Sequence, residues 1–160
     1  MSAMKDVGRD LQETIDDAAQ RLARIPAERA RQPKAPGKWS PQEIIGHLID
    51  SACNNHGRFV RAQLNDDFLF LGYEQEGWVR VQRYATEDWD ALIHLWHSYN
   101  LHIAHIIENI PDEVALRPRV KHNLDEIAWK TVPQNEPVTL DYFVRDYVAH
   151  LKHHLGQIPD

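Results

Sequence analysis

Three histidines stand close together near the end of the chain, at His150, His153 and His154. On a helix, at about 100° per residue, His150 and His154 share one edge of the apolar face, while His153 points to solvent. Side chains four residues apart on a helix lie about 5–6 Å apart at Cβ and can converge on one ion. The H-x-x-x-H spacing of His150 and His154 is therefore typical of a pair of metal ligands.

A third ligand can come from another helix. His47 has the same position at the edge of its apolar face as His150, and His102 lies near the inner face of a third helix as a candidate fourth member. Three neutral imidazoles suit zinc or nickel and leave coordination positions open to water or substrate, which is typical of a catalytic site. The chain has 10 histidines, however, and the spacing also arises by chance on helices. From the pattern alone, histidines without a metal role remain the alternative interpretation.

Four segments with an apolar period of about 3.6 residues must position these histidines, and no convincing strand pattern competes with them. They cover roughly residues 5–24, 40–63, 87–110 and 139–158. The second has the clearest beginning, since Ser40 can cap it, Pro41 suits its first turn and Glu43 completes a capping box. The third is expected to turn Leu95 and Tyr99 inward.

Long connections separate these helices, which favours crossovers over a simple up-and-down bundle. The predicted fold class is all-α, a four-helix bundle with long crossover connections, as a single domain over residues 1–160. The connection that reads GYEQEGWVRVQRY is the best candidate for a functional loop. Its Tyr73, Glu74 and Trp78 are candidates to close over the metal and select the substrate, although aromatic loop residues also commonly pack down on a bundle.

Three polar residues are candidates for a supporting role around the ligands. Asp50 follows His47 by three residues and Asp146 precedes His150 by four, so either carboxylate could orient an imidazole. Solvated acids on a helix surface are the alternative. Asn55 falls on the inner face of the second helix, where a polar side chain needs a partner or a cavity. It is expected to line the pocket or to bond a neighbouring helix.

The composition excludes several functional classes. The formal net charge is −6, with 18 Lys and Arg against 24 Asp and Glu, so neither a nucleic acid nor a membrane is the expected partner. The single cysteine, Cys53, excludes an internal disulfide and a thiolate-rich zinc site, and fits a reducing cytosol. As a lone cysteine on a helix, it is expected to be buried filler rather than a nucleophile. No signal peptide and no run of about 18 apolar residues occurs, which predicts a cytoplasmic protein.

Three segments resemble, in order and over nearly the whole chain, the DinB-like superfamily of small bacterial proteins: KWSPQEIIGHLIDSACNNHGRF, GYEQEGWVRVQRYA and DYVAHLKHHLGQI. The resemblance implies a four-helix bundle with long crossovers. It also implies one metal site, built from a histidine in a W-S-x-x-E-x-x-G-H-L context on the second helix and an H-x-x-x-H on the last. Those ligand positions read His47, His150 and His154 here, and none is substituted. Members with assigned activities are mostly metal-dependent transferases or isomerases that use low-molecular-weight thiols such as bacillithiol or mycothiol.

Two functional hypotheses follow. The first is a metal-dependent enzyme in which the ion activates a low-molecular-weight thiol or water against a small substrate, as a thiol transferase or a hydrolase. The second is a stress-response protein that binds a metal or a ligand without turnover. The resemblance also implies a homodimer, and the apolar stripe of the first helix, which has little loop cover, is expected to supply its interface.

Overall fold

The computed structural model describes residues 2–160, and over these residues the chain forms eight α-helices and one 3-10 turn. The helices are α1 Ala3–Ala23, α2 Ala27–Ala30, α3 Pro41–Leu64, α4 Gln75–Gln82, α5 Trp89–Glu108, α6 Asp112–Ala115, α7 Leu124–Ile127 and α8 Leu140–Leu155, with the 3-10 turn Tyr84–Thr86 between α4 and α5. The long helices α1, α3, α5 and α8 correspond to the four apolar segments of the sequence, so the predicted fold class is confirmed. Within the described part of the chain, no helix is long and apolar enough to cross a membrane.

Local sequence explains where the two site-bearing helices begin. Ser40 Oγ accepts a hydrogen bond from the backbone N–H of Glu43 at 3.2 Å, and Glu43 Oε1 accepts one from the Ser40 N–H at 3.1 Å, which completes the predicted capping box of α3. Thr139 caps α8 by accepting a 3.0 Å bond from the N–H of Tyr142. These caps fix the starting register of α3 and α8, which carry the predicted metal ligands.

Around the axis of the bundle the long helices follow the order α1, α5, α3, α8. Helix α1 packs against α5 and α8, and α3 packs against the same two helices from the other side. Helices α3 and α8 are in contact although residues 65–139, which include α5, separate them in sequence. Large apolar side chains, including Leu11, Ile45, Phe59 and Trp96, are fully buried between the helices.

The buried face of α5 differs from the predicted one. Leu95, which the apolar period places inward, is 48% exposed. The buried face is centred instead near Asn100, which is 0% exposed and lies about 140° from Leu95 around the helix. Asn100 Oδ1 accepts a hydrogen bond from the Tyr147 hydroxyl at 2.5 Å, so a polar side chain occupies the centre of the face. A pattern of hydrophobic residues gives no signal for such a position.

The apolar stripe of α1 is buried within the chain itself. Met4, Leu11, Ile15 and Leu22 are all fully buried, and α1 packs mainly against α5. Because α5 covers the stripe, the stripe offers no surface to a second copy, and the expectation that it supplies a dimer interface is wrong. The assembly state stays a prediction.

A buried arginine orders the connection between α5 and α8. Arg119 is 2% exposed, and its guanidinium donates hydrogen bonds to the carbonyl oxygens of Asn65 at 2.7 Å and Ala62 at 3.0 Å. The same guanidinium lies 4.6 Å from the centre of the Phe68 ring. These contacts tie the long connection to the end of α3. The connection then continues to Trp129, beside α8.

Candidate metal centre

His47 lies in the interior between α3 and α8. It is 0% exposed, whereas the sequence pattern places it only at the edge of the apolar face of α3. Helix α8 packs over that edge and contributes to this burial. Next to it, Gly46 allows the Tyr84 ring to pack directly on α3, because a Cβ at this position would overlap the ring. The glycine and the histidine of the G-H pair therefore have separate roles, one in packing and one in the site.

His150 and His154 approach His47 from α8. His150 Nε2 lies 3.3 Å from His47 Nε2. The ring centroids of His150 and His154 are 4.5 Å apart, and those of His47 and His154 are 4.7 Å apart. One ring nitrogen from each residue lies within 4.8 Å of the other two. The structure thus brings together the three histidines that the spacing and the resemblance single out.

Burial keeps these imidazoles neutral. Desolvation, with a smaller contribution from His154, lowers the pKa of His47 to about 4. Desolvation, assisted by the neighbouring histidines, lowers the pKa of His150 to about 3. The pKa of His154 is also lowered, mainly by burial, although its bond with Gln157 opposes the shift. At neutral pH all three side chains are in the unprotonated form that a metal ion requires.

The donor set of the cluster fits a divalent ion. His154 Nδ1 lies 2.8 Å from Gln157 Oε1 and donates to it, which leaves Nε2 of this ring as the ligand atom. Zinc and nickel both accept neutral imidazole nitrogens. Over residues 2–160 no fourth His, Cys, Asp or Glu joins the group. A three-nitrogen site of this kind leaves coordination positions for a substrate or water.

Two tryptophans that the sequence analysis does not assign flank the cluster. The Trp39 ring centroid lies 4.9 Å from that of His47 and 6.4 Å from that of His154. The Trp129 ring centroid lies 5.8 Å from that of His150. The position of Trp39 in the W-S-x-x-E motif could have indicated that it lies near the site. No sequence pattern indicates the same for Trp129, which reaches the site only through the tertiary fold. Trp39 is partly buried beside His47, and Trp129, which is 40% exposed, lies beside His150.

Asp146 positions Trp129 rather than an imidazole. Its carboxylate accepts hydrogen bonds from the backbone N–H groups of Trp129 at 2.8 Å and Lys130 at 2.9 Å. Burial raises the pKa of Asp146, and the two backbone bonds oppose that rise. The structure therefore corrects the hypothesis of a direct bond to His150. The carboxylate acts on the site by fixing the segment that carries the Trp129 ring.

Asp50 also bonds away from the imidazoles. Its Oδ1 accepts hydrogen bonds from the Tyr84 hydroxyl at 2.7 Å and from Gln82 Nε2 at 2.8 Å. Burial raises the pKa of Asp50, and these two bonds oppose that rise. The side of α3 that carries Asp50 faces α4 and the 3-10 turn, whereas His47 faces α8. Asp50 thus ties the α4 segment to α3 instead of orienting a ligand.

A cavity of about 390 Å³ adjoins the cluster. This volume lies in the range of small-molecule sites, about 300–1,000 Å³. The side chains that line it include Ser51, Asn55, Arg58, Tyr73, Trp129, Asp146, His150, His153 and His154. Asn55 and Tyr73, two candidates from the sequence, are among these side chains. That Tyr73 closes over a metal and selects the substrate stays a prediction. Arg58 is a further cavity residue that the sequence analysis does not assign.

The other two residues of the predicted loop have supporting roles. Glu74 is exposed, and its Oε1 caps α4 by accepting a hydrogen bond from the Gly77 N–H at 3.0 Å. Trp78 packs against Tyr73, with ring centroids 5.0 Å apart. The loop therefore presents Tyr73 to the cavity, and Trp78 holds that ring from behind.

The remaining candidates lie outside the cluster. His102 is exposed, and its ring centroid is 5.2 Å from that of His56 on the side of α3 that faces α5. Because α5 and α8 contact different sides of α3, His102 does not join the three histidines.

Cys53 is exposed, so the expectation that it is buried filler is wrong. His153 is exposed, as its angle on α8 predicts.

These features define a class of protein: four-helix bundles with crossover connections and a three-histidine cluster between two neighbouring helices. A sequence profile of the DinB superfamily matches residues 10–158, and the chain belongs to this superfamily. The predicted family is confirmed. Among curated proteins, no match was found.

Among solved structures, the chain is similar to YfiT from Bacillus subtilis. The TM-score is 0.77 and the sequence identity is 19%, over 99% of this chain and 86% of that chain. YfiT is described as a probable metal-dependent hydrolase with an unusual four-helix bundle topology. At this level of identity the similarity shows the fold.

Proposed function

We propose that the protein is a metal-dependent enzyme in which His47, His150 and His154 hold one divalent ion, zinc or nickel. The observation that carries the proposal is the convergence of three neutral imidazoles, with ligand atoms within 4.8 Å of one another, beside a cavity of about 390 Å³. A closed structural site would add a fourth protein ligand. The described residues supply no fourth ligand of the usual types, which favours catalysis over a purely structural or storage role.

When bound, such an ion lowers the pKa of a coordinated thiol or water, so that it becomes a nucleophile near neutral pH. The chain then needs no nucleophile of its own, and Cys53 is exposed on the surface. The role of the protein is to keep the three imidazoles neutral and to hold a small substrate in the cavity beside them.

Tyr73 supplies a hydrogen-bond donor to that cavity. Burial raises the pKa of Tyr73 to about 12, although the nearby Arg58 charge opposes the rise. The hydroxyl therefore stays protonated at neutral pH. It can donate a hydrogen bond to a substrate oxygen, but it does not act as a general base at this pH.

Two reaction classes fit this site. Transfer of a low-molecular-weight thiol such as bacillithiol or mycothiol is the reaction type that the superfamily resemblance supports, with the thiol as co-substrate. Hydrolysis, with water as the nucleophile, is supported by the description of YfiT as a probable metal-dependent hydrolase. Both reactions use the same ion and the same cavity, and they differ in what enters the open coordination position.

The test is a turnover assay on the purified chain. A panel of small electrophiles and activated esters is incubated with the protein, with and without low-molecular-weight thiols. Turnover is expected to disappear on chelation, to return with zinc or nickel, and to be lost in His150→Ala. His94→Ala is the matched control, because His94 is exposed on α5 and is not among the residues that line the cavity, and this variant should keep its activity. A stoichiometrically bound ion without turnover on any panel member would instead favour the non-catalytic binding protein.

A further inference from the structure

A buried arginine lies in the cavity without an acidic partner. Arg58 is 5% exposed and lines the same cavity as His150 and His154. Its Nη2 donates a hydrogen bond to the Leu71 carbonyl oxygen at 2.8 Å, and its Nη1 donates one to Asn55 Oδ1 at 3.4 Å. Both acceptors are neutral, so neither balances the charge of the guanidinium.

No other group in the described part of the chain balances this charge either. The ion pairs that residues 2–160 form do not include Arg58. Of the two acids that line the cavity, Asp146 accepts two backbone hydrogen bonds and Glu126 is exposed. The Tyr73 ring, whose centroid lies 6.0 Å from Arg58 Cζ, is uncharged at neutral pH. A buried cation without a counter-charge is costly unless a ligand supplies one.

Arg58 and His47 lie on the same face of α3. Arg58 follows His47 by 11 positions (58 − 47), which is about 20° beyond three full turns and about 16 Å along the helix axis. Ser51 and Asn55 occupy the turns between them, and both line the cavity. Helical side chains lean toward the helix N-terminus, and Arg58 contacts Asn55 in that direction. The cavity therefore runs along α3 from the histidine cluster to the guanidinium.

We propose that Arg58 binds an anionic oxygen group of the substrate, a carboxylate or a phosphate, while the reacting atom lies at the three histidines. This inference deepens the proposed function and rests on it. A guanidinium presents paired N–H donors to such groups, and Arg58 has more donors than its two hydrogen bonds use. The helix spacing separates the anionic group from the reacting atom by on the order of 10 Å, so the substrate is elongated.

The first measurement needs no metal ion. Hexanoate and hexyl phosphate are titrated into the chelator-treated chain, with hexanol as the uncharged control, and the NMR signal of the Arg58 Nε–H group is followed. The signal is assigned by its loss in Arg58→Gln. Both anions, or one of them, should shift the signal saturably, and hexanol should not. A signal that neither anion moves overturns the proposal, whether or not the histidines bind an ion.

The second measurement tests whether one ligand contacts the metal ion and Arg58 at the same time. Cobalt-loaded protein is titrated with ω-mercaptoalkanoates of increasing length and with ω-mercaptoalkanols of equal length, and the thiolate-to-cobalt absorption band reports binding. At the best length the carboxylate should bind about ten-fold or more tightly than the alcohol, the effect of a charge-assisted hydrogen bond. Equal affinities at every length contradict the proposal. If no thiol gives the band, the proposed function fails, and the NMR measurement alone decides the role of Arg58.

Matched variants separate anion binding from folding. Arg58→Gln should lose the preference for the carboxylate while it binds the alcohols like the wild type. Arg61→Gln, a change of an exposed arginine on the same helix, should keep the preference. Because Arg58→Gln also removes the bond to Leu71, circular dichroism must show that this variant is folded. If Arg58→Gln is unfolded, the variant Arg58→Lys is used instead, because lysine keeps the positive charge but lacks the paired N–H donors. Arg58→Lys should show a weaker preference for the carboxylate over the alcohol. An unchanged preference would contradict a paired contact between Arg58 and the carboxylate.

Discussion

The metal-free protein should lose stability on mild acidification, and the histidine cluster should be the cause. His47 and His150 have pKa values of about 4 and about 3 in the folded chain, against the ordinary value of 6.5. A group whose folded-state pKa is lowered takes up its proton first in the unfolded chain. Its contribution to stability is therefore complete above about pH 6.5 and is lost as the pH falls toward the folded-state value.

The size of the effect follows from the same values. Each pH unit below the unfolded pKa of 6.5 lowers the free energy of unfolding by about 1.4 kcal/mol per histidine, or about 2 kcal/mol at about pH 5. Because both folded-state values lie below this pH, the result depends little on their magnitude. The two rings are in contact, with their Nε2 atoms 3.3 Å apart, so they titrate together. The expected total loss is about 2–4 kcal/mol, a large share of the stability of an ordinary domain.

Urea unfolding of the chelator-treated protein, followed by circular dichroism at about pH 7.5 and about pH 5, gives this difference. The control is the double variant His47→Asn, His150→Asn, which keeps every carboxylate, including the buried Asp50 and Asp146. The wild type should lose about 2–4 kcal/mol more than the double variant on acidification. An equal loss in the two proteins would refute the reasoning.

Bound metal should persist below the pH at which free imidazole is protonated, because the pKa of His47 is about 4 and that of His150 is about 3. A metal-sensitive dye measures release, and complete release of the metal by about pH 6 would contradict this prediction. Gly46→Ala should destabilise the fold by about 1–3 kcal/mol, since a Cβ would overlap the Tyr84 ring. Gly72→Ala is the control, because a Cβ at this position makes only an ordinary contact. If both variants shift the midpoint of urea unfolding equally, overlap with the Tyr84 ring is not the cause of the destabilisation. Chelation should preserve the helical signal at room temperature, because the apolar core is continuous without the ion, and a collapse would show a structural ion. Sedimentation should detect the homodimer that the superfamily resemblance implies, and a single species of 18.6 kDa would reject it.

The features that could be read from the sequence are those decided within one helix. The capping box of Ser40 and Glu43 marks the beginning of α3, and the angular position of His153 predicts its exposure. The spacing of His150 and His154 places both on one edge of α8. The angular position of His47 on α3 places it at the edge of the apolar face but does not indicate which helix packs against that edge. The contact of His47 with His150 and His154 is therefore implied only by the superfamily resemblance.

The features that could not be read from the sequence depend on contacts between distant segments. Asp146 accepts its hydrogen bonds from Trp129 and Lys130, and no local spacing indicates that a loop will return to this point on α8. From the sequence, Arg58 is expected to be an exposed cation on the surface of an amphipathic helix. It is buried because the loop after α3 places Leu71 and Tyr73 against it. Asn100 shows the same limit inside the core, where a polar residue replaces an apolar one because a tyrosine hydroxyl reaches it.

The binding of one divalent ion by three imidazoles is tested most directly by X-ray absorption spectroscopy, with metal analysis, on the protein as purified. The expected result is about one zinc or nickel ion per chain, with three imidazole nitrogens at about 2.0–2.1 Å from the metal. His150→Ala should remove the ion or one imidazole from the spectrum, and His153→Ala should leave both unchanged. A chain without stoichiometric metal, a spectrum without imidazole scattering, or a spectrum that His150→Ala does not alter would contradict the assignment.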